Sequence, residues 1–335
     1  MLQKVTTTGV DLDSVYAQTL QRIREQKGDR SRLGMEVLMW VSHARRPLSI
    51  GELCLALAVE TGSTNLDPEN VCPQATILAS SLGLVAVDET SNVRLIHYTL
   101  QEYLCLPGVL PDAHKTLGET CLAYLNYDQI REIPATEVFG LQGMPFVYYS
   151  SYYWGFHAKQ GLSDGAKSLA VELLSLYENH ISCTLFGTKV HSKDYPFFVH
   201  SPQFSGLHFA SYWGIVWAVE ALGKMKGCDI NNIDCRGYTP LSWAARQGNK
   251  ELVRLLLMRD DVDPDCRDWE GKTPLWRACF GGHEGVVRLL LARGDVDPNT
   301  KDKLGRTPIW ATYVKNHKEI AALLRPRITT TGILG

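Results

Sequence analysis

The sequence lacks an apolar run of the roughly 18 residues needed to cross a bilayer, and its opening residues, MLQKVTTTGVDLDS, lack the apolar core of a secretory leader. It also lacks an excess of either charge. Lysine and arginine number 34 against 36 aspartates and glutamates, a formal net charge of −2. Balanced charge gives no general attraction to nucleic acid or to an anionic membrane. We therefore expect no membrane or nucleic-acid partner, and 335 residues predict two or three domains.

Cysteine pairs of the Cys-x-x-Cys type are also missing, although the chain has nine cysteines. Four of the nine fall within apolar helical patterns, where a reduced thiol serves as a small core side chain: Cys54, Cys105, Cys121 and Cys279. This usage predicts an intracellular, cytoplasmic protein. Cys228 and Cys235 flank a loop, but no histidine or cysteine cluster completes four ligands, so we expect no metal site.

The chain does contain an internal repeat with an interval of 34 residues. Its copies read DCRGYTPLSWAARQGNKELVRLLL from 234, DWEGKTPLWRACFGGHEGVVRLLL from 268 and DKLGRTPIWATYVKNHKEIAALL from 302. A degenerate earlier copy, SGLHFASYWGIVWAVEAL, begins at 205. A period of this length is typical of a stacked solenoid, and solenoids mostly bind other proteins.

Each copy predicts a turn followed by two helices. Asp-x-x-Gly forms the turn, the threonine of Thr-Pro caps the first helix, and proline at the first helical position gives up an amide that has no partner there. Gly248 and Gly282 would end the first helices as C-terminal caps. The second helices would then bury Leu255, Leu289 and Leu323 in one shared seam, because a single copy cannot bury its own apolar face.

These linked features resemble the ankyrin repeat over roughly 201–325. The histidine that usually follows Thr-Pro-Leu is Ser242, Trp276 and Trp310 here and survives as His208, and Asn316 replaces an expected glycine. The resemblance implies an ankyrin domain at 201–335, with a degenerate copy at 201–233 and further copies at 234–267, 268–301 and 302–325.

The first hundred residues predict helices followed by a two-stranded hairpin at 84–98, which together make a winged-helix-like domain at 1–108. Capping boxes are expected at Ser49–Glu52 and Thr99–Glu102. A winged helix can read DNA. However, the helix that would enter the major groove, 68–82, contains no lysine or arginine, which argues against that function.

The wording of this region resembles fungal NACHT–ankyrin proteins, which are NLR-like signalling ATPases. The matching words are LDSVY at 12–16, RRPLSIGEL at 45–53 and LIHYTLQEY at 95–103. Related segments are called the winged helix of GPI inositol-deacylase. Residues 109–200 resemble the helical connector of those proteins, with ETCLAYL at 119–125 and YYWGFHA at 152–158. The expected fold is therefore mainly α: a winged-helix-like unit, a helical connector and an ankyrin-repeat α-solenoid.

The resemblance implies a nucleotide switch in which a winged-helix histidine, His97 here, reaches the phosphate of a nucleotide bound to a NACHT domain. The alternative is that His97 caps a local element or satisfies a core hydrogen bond. The phosphate loop Gly-x-x-x-x-Gly-Lys-Ser/Thr is absent, since Gly271-Lys272-Thr273 has Cys266 where its first glycine belongs. We therefore expect no cofactor and a chain that begins just after the ATPase domain.

Two patterns resemble catalytic motifs, but both are incomplete. Ser163 lies in a Gly-x-Ser-x-Gly pattern, but a nucleophile elbow needs a buried strand before the serine. Polar-faced helical residues precede Ser163 and an amphipathic helix follows, so Ser163 or Asp164 is expected to be an N-cap. His283-Glu284 lacks the second histidine of a zinc motif. The sequence therefore predicts no catalytic residue and no enzyme.

Partner binding is expected on the concave side of the stack, formed by the turn tips and first helices. The residues predicted to contact a protein partner are Arg236, Tyr238, Arg246, Trp269, Glu270, Lys272, Phe280, Lys303 and Arg306. Tyr238 and Trp269 are the strongest candidates, because tyrosine and tryptophan are enriched at binding hot spots. The last copy lacks an evident polar cap, so it is expected to fray first.

Two hypotheses follow. In the first, the chain is a non-enzymatic adaptor, the sensor or regulatory end of an NLR-like protein. In the second, it is a truncated regulatory piece that touches nucleotide only together with a NACHT domain in cis or in trans.

Overall fold

The computed structural model describes residues 12–137, 141, 143–191 and 204–327. The described residues fall into two compact units, one within 12–133 and 137–166 and the other within 134–136 and 167–327. Helices dominate both, which confirms the predicted mainly α fold class. Among the described residues, no helix combines the length and the apolar character that crossing a bilayer demands. Residues 328–335, the end of the predicted ankyrin domain, lie outside the described residues.

The first unit consists of helices around one small hairpin. Its elements are α1 (Leu12–Arg24), α2 (Arg30–His43), α3 (Ile50–Ala58), α4 (Gln74–Ser80), β1 (Val85–Val87), β2 (Val93–Leu95), α5 (Tyr98–Leu104), α6 (Ala113–Leu125), α7 (Asp128–Arg131) and α8 (Phe146–Ala158). The strands pair antiparallel, with Val85 opposite Leu95. The capping box predicted at Ser49 is confirmed: Glu52 N–H donates to Ser49 Oγ over 3.2 Å, and Ser49 N–H donates to Glu52 Oε2 over 2.8 Å.

Aromatic side chains form the centre of this unit. Trp40 of α2 meets Phe146 and Tyr149 of α8 edge-on, with ring centroids 5.5 and 5.8 Å apart. Tyr149 and Trp154 of α8 are fully buried, so both are core residues. Helices α2 and α4 approach closely at Gly34, where an added Cβ would lie 2.5 Å from Ser80 O.

The division between the units falls inside α9 (Asp164–Ser175). The second unit continues with α10 (Ile181–His191), α11 (Gly206–Trp213), α12 (Val216–Leu222), α13 (Pro240–Gln247), α14 (Lys250–Leu257), α15 (Pro274–Gly281), α16 (Glu284–Ala292), α17 (Pro308–Val314) and α18 (Lys318–Leu324). Short 3-10 turns occupy Pro68–Asn70, Tyr177–Asn179 and Arg325–Arg327. Each predicted repeat therefore contributes one pair of helices.

The caps predicted for the repeats are present at 234–267 and 268–301, whereas Thr307 of the last copy lies at the N-cap position of α17 without a side-chain capping hydrogen bond. Thr239 and Thr273 accept hydrogen bonds from the third backbone amides of α13 and α15. Gly248 and Gly282 end these helices in the left-handed region, with φ of 72° and 77°. Asn316, which replaces the glycine in the last copy, adopts the same region with φ of 58°. Asparagine tolerates this conformation better than most residues.

The predicted leucine seam is displaced by one position. Leu256, Leu290 and Leu324 are almost fully buried, at 1, 0 and 0% exposure. The leucines expected there, Leu255, Leu289 and Leu323, are half-buried. The buried stripe of each second helix runs through its third, fourth and seventh residues, for example Leu252, Val253 and Leu256, and this stripe faces the neighbouring helices.

Polar contacts also join successive repeats, and the repeat pattern did not predict them. Arg293 Nη1 donates to Leu257 O over 2.9 Å, while Arg259 and Arg327, one repeat away on either side, donate to the carbonyls of Gly223 and Leu291. The residue after each cap glycine makes a second link. Asn249 donates to Ser211 O and Tyr212 O, and His283 Nε2 donates to Arg246 O over 2.9 Å.

All nine cysteines lie in the described residues and none forms a disulfide. Cys121 and Cys279 are buried as predicted, and burial raises the pKa of the Cys121 thiol to about 12, which keeps it protonated and inert. Cys54 is half-buried. The prediction of a core position is wrong for Cys105, which is exposed because it lies just past the end of α5.

Candidate functional site: the turn tips and first helices

A buried aspartate organises each turn tip. Asp234, Asp268 and Asp302 are at most 6% exposed. In each, Oδ1 accepts the backbone N–H groups two and four residues later over 2.9–3.0 Å. A carboxylate with several hydrogen bonds fixes the loop around it. The tip residues therefore project from a rigid base.

The second oxygen of each aspartate takes a different donor. Trp243 Nε1 donates to Asp234, Arg277 Nε to Asp268 and Arg306 Nε to Asp302, each over 2.8 Å. Trp243 and Arg277 both lie nine residues after their aspartate. Arg277 is not among the residues predicted from the sequence, and this shared spacing is the signal that could have revealed it.

Neighbouring tips are joined through their backbones. Trp269 N–H donates to Arg236 O over 3.0 Å, and Lys303 N–H donates to Glu270 O over 2.9 Å. The three tips therefore form one continuous row. We call the tips and first helices of 234–247, 268–281 and 302–315 the turn-tip face.

Cations stacked on aromatic rings run along this face. Arg246 lies over the rings of Trp243 and Tyr238, at 5.2 and 5.5 Å from the centroids. Lys272 Nζ lies 4.3 Å from the ring centroid of Trp276. Three further pairs follow the same arrangement: Arg277 on Tyr238 at 4.7 Å, Arg306 on Trp310 at 4.6 Å and Lys315 on Phe280 at 4.5 Å. Such pairs hold flexible cations in fixed positions.

Ion pairs at the second tip shift the pKa of Glu270. Burial alone would raise it, but Lys272 and Arg277 donate to the carboxylate over 2.9 and 2.5 Å and lower the pKa to about 2. The pKa of Asp302 is also lowered. Burial alone would raise this pKa, but the hydrogen bonds from Arg306 and from two backbone amides outweigh the effect of burial. Both groups are carboxylates at neutral pH.

Most of the predicted partner-binding residues reach the surface. Trp269 is 51% exposed and Phe280 38%, and Glu270 and Lys303 are exposed as well. Arg236, Arg246 and Arg306 are partly exposed.

Two residues expected to project from the tips are buried instead. Tyr238 is 2% exposed, because it stacks on Trp243 with centroids 4.9 Å apart and lies beneath the guanidinium groups of Arg246 and Arg277. Lys272 is 7% exposed, because its ammonium group lies between the Trp276 ring and the Glu270 carboxylate. Both residues support the turn-tip face from below.

His97 lies in the first unit, at the start of α5. Its Nδ1 accepts the Thr99 N–H over 3.2 Å and lies 2.6 Å from Thr99 Oγ1. The capping box predicted at Thr99 is therefore wrong: His97 is the cap, and the Thr99 hydroxyl is buried against Tyr16 OH at 2.8 Å. The His97 ring is exposed and stacks on Tyr98 at 4.7 Å, and Nε2 makes no hydrogen bond within the described residues.

Ser163 caps α9. Its Oγ accepts the Ala166 N–H over 3.4 Å, and its own N–H donates to Glu119 Oε1 over 2.7 Å. This is the N-terminal arrangement predicted in place of a nucleophile elbow. Within the described residues, no group of three histidine, cysteine, aspartate or glutamate side chains could hold a metal ion.

Comparisons with known proteins agree with both parts of this architecture. The family described as "GPI inositol-deacylase, winged helix domain" matches residues 20–112, and ankyrin repeats in three copies match 207–302. The chain thus carries that winged-helix domain followed by ankyrin repeats, and the match includes the degenerate first copy. Ankyrin repeats are interaction modules without catalytic groups, whereas the winged-helix family takes its name from an enzyme. No curated protein matches the chain.

Proposed function

We propose that this chain is a non-enzymatic protein-interaction module whose ankyrin repeats bind a protein partner on the turn-tip face, the concave side of an ankyrin stack. The observation that carries the proposal is the exposure of Trp269 at a tip and of Phe280 on a first helix, on a face whose tips the buried aspartates make rigid. Large exposed aromatics on a rigid base lose little conformational entropy when a partner binds them.

The experiment is a selection of random 16-residue peptides displayed on phage against the full chain. Peptides recovered by the wild type should bind at least about tenfold more weakly to the double variant Trp269→Ala/Phe280→Ala. Met258→Ala is the matched control, because Met258 is 77% exposed but follows a second helix, away from the tips. Equal losses in both variants, or no recovered peptide, would remove the support for this face.

The wider role belongs to the same proposal. The resemblance to NACHT–ankyrin proteins, together with the winged-helix match, supports a sensor or regulatory part of an NLR-like signalling protein. Nine cysteines without a disulfide support a cytoplasmic location. Partner binding would then report a signal to another domain.

A second candidate function is favoured by the surroundings of His97. Ile96 and Tyr98 are 56 and 66% exposed, and the free Nε2 of His97 lies between them in sequence. An exposed apolar pair beside a histidine suits contact with a NACHT domain, in cis or in trans, and with its nucleotide.

Addition of a NACHT ATPase domain loaded with nucleotide separates the two candidates. ATP or ADP should leave the melting temperature of the purified chain unchanged if the chain is only an adaptor. If His97 completes a nucleotide site, a NACHT ATPase domain loaded with ADP should bind the chain, and His97→Ala should weaken that complex. Binding that does not depend on His97 would dismiss the second candidate.

A further inference from the structure

The turn-tip face carries a charge that the chain as a whole does not. Its three segments contain seven lysines and arginines and four carboxylates. The second helices and linkers after the first two tips, 248–267 and 282–301, contain seven cations and eight carboxylates. Residues 316–327, after the third tip, add three cations and one carboxylate, so the three segments off the face total ten cations and nine carboxylates. The positive excess is therefore larger on the turn-tip face than beside it, within a protein of net charge −2.

The four carboxylates on the face do not neutralise its unpaired cations, because all four are already engaged in hydrogen bonds or ion pairs. Asp234, Asp268 and Asp302 are buried and fully engaged by backbone amides and by their second donors. Glu270 is held by Lys272 and Arg277. No carboxylate on this face is left to attract a cationic partner.

Three cations on the face have no carboxylate within ion-pair distance among the described residues. Arg246 is partly exposed, while Lys303 and Lys315 are exposed. Arg246 and Lys315 are instead held over aromatic rings, and the backbone of Lys303 is fixed by its hydrogen bond to Glu270 O. The three belong to different tips or helices, so their charges are distributed along the face rather than collected at one point.

Apolar side chains lie among these cations on the same face. Trp269, Phe280 and Leu304 are 51, 38 and 73% exposed. We infer that the turn-tip face recognises an acidic peptide segment of a partner protein, in which aspartates or glutamates meet Arg246, Lys303 and Lys315 and apolar residues between them meet Trp269, Phe280 and Leu304. This inference rests on the proposed function and adds the chemistry of the partner. Charge complementarity of this kind sets both the association rate and the choice of partner.

The test uses the same random 16-residue peptide library on the full chain and measures the net charge of the recovered peptides. The wild type should recover peptides enriched in aspartate and glutamate. A labelled peptide from this set should bind at least about tenfold more weakly to the variant Arg246→Glu/Lys303→Glu/Lys315→Glu. Replacement of the peptide's own acids by their amides should weaken its binding to the wild type as well. Raising the salt concentration should weaken binding to the wild type.

The matched control is Lys250→Glu/Arg254→Glu/Lys318→Glu, which changes the net charge equally at exposed positions on second helices. It should bind the acidic peptide within about twofold of wild type, because distant exposed charges are screened. Circular dichroism and melting temperature establish that both variants fold, since all six positions are at least partly exposed.

Four outcomes would overturn the inference. Recovered peptides that are neutral or basic, yet lose binding to Trp269→Ala/Phe280→Ala, would leave the proposed function intact and dismiss the acidic partner. Equal weakening by the control variant would show a general charge effect. A 16-nucleotide single-stranded DNA that competes as well as the acidic peptide would indicate binding of any polyanion. If no peptide depends on the face at all, the proposed function fails as well.

Discussion

Arg277 and Asp268 form a buried ion pair, with Nε 2.8 Å from Oδ2 and side-chain exposures of 10 and 1%. The other oxygen of Asp268 accepts hydrogen bonds from the backbone amides of Glu270 and Lys272. One carboxylate therefore pairs with Arg277 of α15 and also holds the backbone of the turn. A buried pair is weak evidence of net stability, but removal of one partner leaves an uncompensated charge and unpaired amides.

We therefore expect Asp268→Ala to lower the free energy of unfolding by about 3 kcal/mol or more. Glu270→Ala is the comparison, because Glu270 bonds the same arginine but its side chain is 60% exposed, and exposed pairs contribute about 0–1 kcal/mol. Urea unfolding followed by circular dichroism measures both. Similar losses in the two variants would refute the view that the buried aspartate supports the tip.

Gly282 and Gly285 should respond to alanine with opposite signs. Gly282 has φ of 77°, and an added Cβ would lie 2.6 Å from His317 Cε1. Left-handed backbone costs an ordinary residue about 1–2 kcal/mol, and the contact adds to this. Gly285 lies within α16 and its added Cβ would lie 3.1 Å from Lys250 Cδ, part of a flexible chain that can move.

Gly282→Ala should therefore destabilise the protein by about 2 kcal/mol, while Gly285→Ala should stabilise it by about 0.5–1 kcal/mol. Thermal melts of the two variants beside wild type give the signs directly. A loss of stability in Gly285→Ala would mean that the Lys250 side chain cannot give way.

Local chain constraints explain which features could be predicted from the sequence. The Thr-Pro caps at Thr239 and Thr273, the cap glycines at 248 and 282 and the Ser49 capping box depend on residues within a few positions of one another, and all of these are present. The buried faces were harder to predict. In a run such as LVRLLL, Leu255 and Leu256 are equally plausible core residues from the sequence alone. Only the packing of the neighbouring repeat decides that Leu256 is the buried one.

In the candidate site too, the sequence predicted some positions correctly but not those that depend on packing between distant residues. Exposure of Trp269 and Phe280 followed from their place in the repeat. Tyr238 and Lys272 occupy comparable tip positions but are buried, because Arg246, Arg277 and Glu270 cover them from other parts of the repeats. Links such as Arg293 to Leu257 O join residues 36 apart, and a repeat pattern does not reveal which carbonyl lies opposite.

Stability should also depend on pH through His157 in the first unit. This ring is fully buried, with Nδ1 2.9 Å from His114 Nδ1 and Nε2 2.9 Å from Tyr149 OH. Burial, and then the charges of His114, His43 and Arg45, lower its pKa to about 3. The unfolded histidine has a pKa of about 6.5. The unfolded chain therefore takes up the proton first, and stability falls as the pH drops from about 6.5 toward 3.

The expected slope from this group is up to about 1.4 kcal/mol per pH unit, or about 2 kcal/mol lost by pH 5. His157→Phe should be less stable than wild type at pH 7, since it gives up two hydrogen bonds, but should lose less stability between pH 7 and pH 5. Burial also lowers the pKa of His43, His114 and His208, so the difference between the two slopes is the quantity to measure. Parallel slopes would contradict this assignment.

The last repeat should open before the others. Tyr313 occupies the position that Ala245 and Cys279 hold in the two preceding copies; those two are fully buried, whereas Tyr313 is 55% exposed. The difference arises because α15 packs on α13 and α17 packs on α15, while no described helix covers the far side of α17. A helix pair with one neighbour has less buried apolar surface to stabilise it than a pair with two. In hydrogen exchange on the full chain, amides of α17 and α18 should therefore exchange at least about tenfold faster than those of α13 to α16. Uniform protection across the four copies would contradict this expectation.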